Sequence, residues 1–505
     1  MPSPANVADY LLADKAPDTI ALRTLQGDHS YGELSRAVAG VAAGLAGTDP
    51  PGSRILLIAD NSLFWVAAYL GTLRAGCISV PLPASIPPAD LASIVRLTEA
   101  RTALVQHRTL RHHALALAGL RIITDRTLPA ELPPAPVASL PLVAPSGLAA
   151  IMFTSGSTGT PRGVMVSHAN ILANTESIVQ YLSLTAADRI MTVLPFHYCF
   201  GTSLLHTHLR VGASLVLDSR FLYPEAILER MAETRCTGFA GVPSHFQILL
   251  RRSTLKKRSF PHLRYVQQAG GHLAPVFVRE WRAALPHTQV FLMYGQTEGT
   301  ARLSYLPPEF LDSKPGSIGK GIPGVTLRVL DPSGRPVRPG EVGEIVAEGE
   351  NVAQGYWQAP EESAQYFRQG RLHTGDFATV DQDGFLYVID RGKDFLKCGG
   401  VRVSSRHIEE QLLECDELLE AAVVPIADEV LGEAVEAFVV PRQPVCTGPC
   451  QWQTCCSIQE RVRRFCRAHL PPQLVPREIV IFPALPKNSA GKVVKSTLKD
   501  FCSLR

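Results

Sequence analysis

Residues 54–82 constrain the fold more than any other stretch. Arg54-Ile55-Leu56-Leu57-Ile58 is a short unbroken apolar run, the pattern of a strand covered on both faces. Residues 62–73 follow with helical periodicity, and Cys77-Ile78-Ser79-Val80-Pro81-Leu82 reads as a second strand. Strand, helix and strand at this spacing make a βαβ unit, which implies a parallel sheet flanked by helices. The alternation recurs at residues 103–106 and 120–124, then at 189–195, 214–217, 237–243, 265–273 and 290–293. Near residues 391–393 it stops, and shorter elements of mixed type follow. A chain of 505 residues is too long for one ordinary core. The expectation is therefore an α/β protein in two parts: residues 1–390, a large domain of parallel and mixed sheets with flanking helices, and residues 391–505, a small α+β domain.

Composition narrows the class of function. A formal net charge of +3 with 19% charged residues gives no reason to expect nucleic acid or an anionic membrane as the main partner. The longest apolar stretch, residues 63–83, is interrupted by Arg74 and Gly76 and reads as a buried helix and strand, not a membrane span. Met1-Pro2-Ser3-Pro4-Ala5 lacks the basic and apolar regions of a secretory leader, and Ser503-Leu504-Arg505 is not the Ser-Lys-Leu peroxisomal address. A cytoplasmic location is the default expectation, with reduced thiols. Of the eleven cysteines, Cys446, Cys450, Cys455, Cys456 and Cys466 cluster near the C-terminus. Their spacing matches no paired metal-ligand pattern, so residues 444–455 read as a Cys-bearing surface loop.

The chemistry begins at Phe153-Thr154-Ser155-Gly156-Ser157-Thr158-Gly159-Thr160-Pro161-Arg162-Gly163. Glycines let backbone N–H groups approach an anion, and Ser and Thr hydroxyls add further donors. A triphosphate suits such a loop, although the Walker A spacing is absent. A plain flexible linker has the same composition, and it takes further motifs to decide between the two. Phe196-His197-Tyr198-Cys199-Phe200-Gly201 is an aromatic cluster at a strand's carboxyl end, where open α/β sheets place ligands. Two more strands end in Gly270-Gly271-His272 and in Tyr294-Gly295-Gln296-Thr297-Glu298. Leu372-His373-Thr374-Gly375-Asp376 and Asp390-Arg391-Gly392-Lys393 come next, and Pro486-Lys487-Asn488-Ser489-Ala490-Gly491-Lys492 lies near the end.

These ordered motifs, spread from Tyr31 to Lys492, resemble those of the adenylate-forming superfamily of acyl- and aryl-CoA synthetases, peptide-synthetase adenylation domains and beetle luciferases. The resemblance implies an AMP-forming ligase using ATP and Mg²⁺. Residues Thr154, Ser155, Gly156, Ser157, Thr158, Gly159 and Arg162 would hold the β- and γ-phosphates. Gly270, Gly271, His272, Tyr294, Gly295 and Gln296 would form the nucleotide slot. Thr297 would bond the α-phosphate, and Glu298 would bind Mg²⁺. Asp376 would grip the ribose hydroxyls with help from Arg391, and Lys492 would bridge the carboxylate and the α-phosphate. Lys393 resembles the hinge about which the small domain turns between half-reactions, with Gly399 and Gly400 lining a pantetheine passage. The family usually has Thr where this chain has Asn488, and many relatives have Lys where it has Arg162.

Domains that load α-amino acids carry an Asp in the segment corresponding to Tyr198-Cys199-Phe200-Gly201, and none is present, so an ordinary amino acid is disfavoured. Tyr198, Cys199, Phe239, Gly241, Val242 and Gly270 suggest an apolar pocket for a fatty or aromatic acid, with His245 and Ser304 as polar contacts. The thiol acceptor would be CoA, with Lys256, Lys257 and Arg258 as candidate contacts for its nucleotide end. Alternatively, it would be the phosphopantetheine arm of a separate acyl or peptidyl carrier protein. A luciferase-like oxygenase and a non-catalytic binder that keeps the fold are more remote readings. The chain carries no carrier-protein motif of its own.

Overall fold

A computed structural model describes residues 6–127, 141–155, 161–391, 395–398, 401–428, 432–443, 451–487, 491 and 493–503, with backbone alone at 155, 390–391, 395, 397–398, 401–402, 451–456 and 503. The βαβ unit is as expected: strands Arg54–Ile58 and Ile78–Leu82 pair in parallel around the helix Leu63–Arg74. Ser62 caps that helix by accepting from Trp65 N at 3.2 Å. Nine consecutive residues of the helix, Trp65 to Leu73, are buried. An apolar surface all round a helix means that it is covered on every side.

The helix Leu63–Arg74 packs against the helices Val7–Leu12 and Tyr31–Ala46 and against the strands Arg54–Ile58 and Ile78–Leu82. Among the described residues, a six-stranded sheet runs in the order Arg121–Thr124, Thr102–Val105, Arg54–Ile58, Ile78–Leu82, Leu148–Ser155, Pro161–Ser167. A nine-stranded sheet has Arg189–Thr192, Gly238–Gly241, Tyr265–Gln268 and Gln289–Tyr294 as its parallel centre. One core cluster joins Ile55, Leu57 and Met152 of the first sheet to Ile190, Leu215 and Phe291 of the second. The helices Tyr31–Ala46, Leu63–Arg74, His168–Leu182 and Cys199–Val211 lie in the same cluster. A third sheet, Val325–Leu330 through Leu386–Arg391, is antiparallel and ends the large domain.

The glycine-rich loop connects an antiparallel pair, Leu148–Ser155 and Pro161–Ser167, in which Ser155 faces Pro161. Residues 156–160 themselves lie outside the described residues. The strand then runs straight into a helix. Ser167 Oγ accepts from Asn170 N at 3.1 Å, and Asn170 Oδ1 accepts from Ser167 N at 2.9 Å.

The small domain is a sheet of Val401–Ser404, Phe395–Cys398, Gly432–Pro441, Leu418–Asp428 and Glu478–Ile481, packed by the helices Ser405–Leu413 and Gln451–His469. Residues 451–455 are helical, which corrects their reading as loop: after Pro449 no breaker interrupts the run, so the helix extends seven residues before 458. Residues 444–450, with Cys446 and Cys450, lie outside the described residues. Among the described residues no group of three or more His, Cys, Asp or Glu is placed to hold a metal, and no helix is long and apolar enough to cross a membrane.

Candidate active site

Parallel strands share a direction, so their carboxyl ends open on one edge. At that edge, Tyr265–Gln268 delivers Gly270, Gly271 and His272, while Gln289–Tyr294 delivers Tyr294 and Gly295. The antiparallel strand Arg371–Val380 brings Asp376 to the same place. All of these line a cavity of about 640 Å³, within the size range of small-molecule sites. Gly491 of the small domain completes its wall.

Tyr294 donates its hydroxyl to Asp376 Oδ2 at 2.6 Å, which ties the end of the strand Gln289–Tyr294 to the strand Arg371–Val380. Asp376 is 5% exposed, and across the hairpin its backbone partner is Arg391. A carboxylate so placed is an acceptor for paired O–H donors. The turn Thr297–Gly299 follows at once, closed by Ala301 N donating to Gln296 O at 3.2 Å. Gly295 packs against that turn so closely that a Cβ would stand 2.0 Å from the Ala301 carbonyl oxygen. No other residue fits there.

Thr297 donates to Cys199 Sγ at 3.4 Å, which joins this turn to the amino end of the helix Cys199–Val211. Both residues border a second, smaller space of about 30 Å³. Glu298 Oε1 accepts the Tyr356 hydroxyl at 2.8 Å. One carboxylate suffices for Mg²⁺, which takes few protein ligands and completes its shell with water and phosphate oxygens. Arg162 is tied to Glu362 at 2.6 Å and faces the rings of Tyr356 and Tyr366.

The acid-pocket expectations divide. Gly270 has φ +84°, a conformation that favours glycine, and a Cβ there would lie 3.0 Å from Val242 Cγ1 and 3.9 Å from Tyr198 Oη. A Cβ on Gly491 would lie 3.0 Å from Val242 Cγ2. Tyr198, Val242, Gly270 and Gly491 therefore converge. Phe239 does not join them: it is fully buried against Phe246 and Trp281. Ser304 is fully buried too, and its hydroxyl is spent on the Ile318 carbonyl at 2.7 Å, because residue 304 sits inside a sheet strand. His245 lies behind Gly241 with its ring 4.0 Å from that of Phe221, and burial pushes its pKa down to about 3, with Lys487 adding to the effect. It borders neither cavity. Two of the basic CoA candidates are engaged elsewhere, Lys256 with Glu280 and Arg258 with Glu225.

Lys393, Gly399, Gly400 and Lys492, together with Gly156, Ser157, Thr158 and Gly159, lie outside the described residues, and Ser155 and Arg391 enter by backbone only. Three contributors were not anticipated. Tyr356 holds Glu298, and Arg406 and Glu410 of the small domain bracket His272. Burial pushes the His272 pKa down to about 4, and Arg406 pushes it the same way. The i, i+4 spacing of Arg406 and Glu410 on one helix was a readable signal of pairing, though not of its target.

Known proteins match this arrangement along its whole length. Residues 12–357 match the AMP-binding enzyme family, and residues 407–492 match the AMP-binding enzyme C-terminal domain. A feruloyl-CoA synthase from an Amycolatopsis species is 32% identical over 501 residues, covering 96% of each chain. A long-chain-fatty-acid–CoA ligase from Salmonella typhimurium is 28% identical over 89% of this chain and 85% of its own. The crystal structure of ATP-bound MatB from Rhodopseudomonas palustris superposes with a TM-score of 0.87 at 28% identity, covering 99% of both chains. The fold is that of the adenylate-forming enzymes, and the chain belongs to the AMP-binding enzyme family as an AMP-forming carboxylate ligase.

Proposed function

We propose that the protein joins a fatty or aromatic carboxylic acid to CoA through an acyl-adenylate held in the 640 Å³ cavity. In the first half-reaction a carboxylate oxygen attacks the α-phosphorus of ATP, and pyrophosphate leaves. In the second the CoA sulfur attacks the anhydride carbonyl carbon, and AMP leaves with the bonding pair. The observation that carries this reading is the meeting of Gly270, Tyr294, Asp376 and Gly491 around one space, although 221 positions separate the first from the last (491 − 270).

Two anions must approach in the first step, so fixed donors and cations at the phosphates set the rate. Asp376, steadied by Tyr294, orients the ribose. Thr297 would bond the α-phosphate, and Tyr356 fixes the Glu298 carboxylate. Mg²⁺ held by Glu298 would supply positive charge to the phosphate oxygens. Lys492 is assigned the bridging charge on the strength of the motif, and Gly491 beside Val242 puts the preceding residue at the acid pocket. CoA is preferred to a carrier protein because the relatives are CoA ligases by name.

A panel of fatty, benzoic and cinnamic acids with ATP and Mg²⁺, read as pyrophosphate release with and without CoA, tests the proposal. Turnover that rises strongly when CoA is added is the expected result. Turnover indifferent to CoA would overturn the acceptor and leave adenylation standing.

A further inference from the structure

Three carboxylates of the small domain line the large cavity, those of Glu409, Glu410 and Glu420. Two of them have lysine partners at 2.8 Å: Lys495 holds Glu409 and Lys487 holds Glu420. Glu410 is held differently. Its Oε1 lies 2.5 Å from His272 Nε2 and 3.4 Å from Arg406 Nε, while Arg406 Nη2 meets the other ring nitrogen of His272. Its Oε2 makes no hydrogen bond or ion pair among the described residues. The side chain is 27% exposed, so a ligand in the cavity can reach it. Burial favours the neutral form, but the contacts with His272 and Arg406 outweigh it and hold the Glu410 pKa below the ordinary value. An ionised carboxylate accepts hydrogen bonds and donates none.

The position of Glu410 follows from the sheets. Across their hairpin Asp376 pairs with Arg391, and Ala378 pairs with Val388. Two residues of strand advance about 7 Å, so Val388 lies that far along from Asp376. Arg406 Nη1 donates to the Val388 carbonyl at 2.6 Å, which sets Arg406 and its neighbour Glu410 at this remove from Asp376. From the other wall, His272 follows Gly270 and Gly271 on a strand that pairs with the one carrying Tyr294. Gly270, Gly271, Tyr294 and Ile389 line the same cavity and carry no charge. A slot with uncharged walls, a carboxylate for the sugar and a second carboxylate farther on suits a nucleoside. The Gly271 carbonyl already accepts from Gln268 Nε2 at 2.8 Å, whereas Glu410 Oε2 has its capacity left. Adenine carries an amino donor at position 6, where a 6-oxo purine carries an acceptor.

We propose that Glu410 reads the base of the nucleotide: its Oε2 accepts from the 6-amino group of adenine and repels the oxygen of a 6-oxo purine. His272 and Arg406 are positioning residues that hold the carboxylate in place. The inference rests on the reading of this cavity as an ATP-dependent, acid-activating site and names the residue that selects the nucleotide. Because Glu410 belongs to the small domain, the base is read only while that domain is docked on the large one.

The test compares ATP with ITP, which has oxygen at position 6, and with purine riboside triphosphate, which has hydrogen there. It uses the full-length protein, Glu410→Gln and Glu410→Ala. Pyrophosphate release with the acid panel reads kcat/KM for each nucleotide, and the shift of melting temperature with AMP or IMP reads binding without turnover. The wild type is expected to favour ATP over both analogues. The ATP-to-ITP ratio should fall about 100-fold in Glu410→Gln, because a charged acceptor is lost and an amide donor can face the oxygen. Glu410→Ala should bring ATP and purine riboside triphosphate close to parity. AMP should raise the melting temperature of the wild type more than IMP does, and Glu410→Gln should abolish the difference. A loss shared equally by ATP and ITP, with the ratio kept in both variants, overturns the inference and leaves Glu410 a contact between the domains. An AMP-specific shift that Glu410→Gln removes, without pyrophosphate release from any acid, supports the Glu410 site and overturns the ligase reading instead.

Discussion

The hydrogen bond from Tyr294 to Asp376 makes two residues 82 positions apart act as one unit. An ionised Asp376 can accept from Tyr294 and from ribose hydroxyls at once, whereas an amide replaces one acceptor atom with a donor. Asp376→Asn is therefore expected to lower kcat/KM for ATP about 10- to 100-fold, the worth of one or two hydrogen bonds to a charged group. Tyr294→Phe should lose about tenfold at most, because it removes the orienting bond and leaves the carboxylate in place. Pyrophosphate release at varied ATP checks both. An effect of Asp376→Asn on the KM for the acid, with ATP untouched, would remove Asp376 from the ribose. The motifs around Tyr294 and Asp376 singled out two residues that the fold brings to one cavity. The surroundings of Ser304 and His245 were not legible. Nothing local says that the Ser304 hydroxyl is satisfied by Ile318, or that the His245 ring is stacked on Phe221.

Elements were read more reliably than side-chain partners, because periodicity and caps are local. Ser167, just ahead of the helix His168–Leu182, caps it in a reciprocal pair with Asn170. Its second role was hidden. Asn170 Nδ2 also donates to the Glu350 and Val352 carbonyls, at 2.6 and 2.9 Å, so the cap ties the helix to the segment after the strand Gly343–Gly349. Asn170→Ala keeps the Ser167 Oγ bond to the backbone N–H of residue 170, but it removes the reciprocal bond to Ser167 N and leaves two carbonyls without this donor. A loss of about 2–4 kcal/mol is expected, more than the ~1 kcal/mol of a cap alone. Urea unfolding followed by circular dichroism checks it, and a loss no larger than that of Ser167→Ala would show that the tie contributes nothing. The first residues of the helix Gln451–His469 were read as loop, since the cysteine cluster drew a loop where the residues from 451 onward contain no helix breaker.

For the whole molecule, the question is how the two domains are held. Arg251 closes the helix Pro243–Arg251 of the large domain and donates across the interface to the Leu413 and Leu418 carbonyls, while Glu280 neutralises it. Arg252 reaches the Pro441 carbonyl at 2.7 Å, and Arg406 and Glu410 hold His272. In this arrangement Gly491 meets Val242, and under the role proposed for Lys492 the contact set would belong with acyl-adenylate formation. Arg251→Met is expected to slow acyl-adenylate formation more than thioester formation from a supplied acyl-adenylate. Weakening the docked state by about 1.4 kcal/mol changes its population tenfold. Separate assays of the two half-reactions check this, and equal loss in both would mean that Arg251 stabilises the fold without biasing the domains.

The order of strands and helices, the glycine-rich loop, the motifs around Tyr294 and Asp376 and the family were all legible in the sequence alone. Each rests on spacing along the chain: a period of two or 3.6, a cap beside its helix, a motif read over five to eight residues. Only the tertiary structure decided that Asp376 answers to Tyr294, that Gly491 closes on Val242, that Phe239 belongs to the core, and that Arg302 is buried with no carboxylate at ion-pair distance among the described residues. Those facts depend on which side chains meet after chain segments tens to hundreds of residues apart have packed. A charge is costly or harmless according to what lies within a few ångströms of it, and for Arg302 that neighbourhood exists only once the fold is complete.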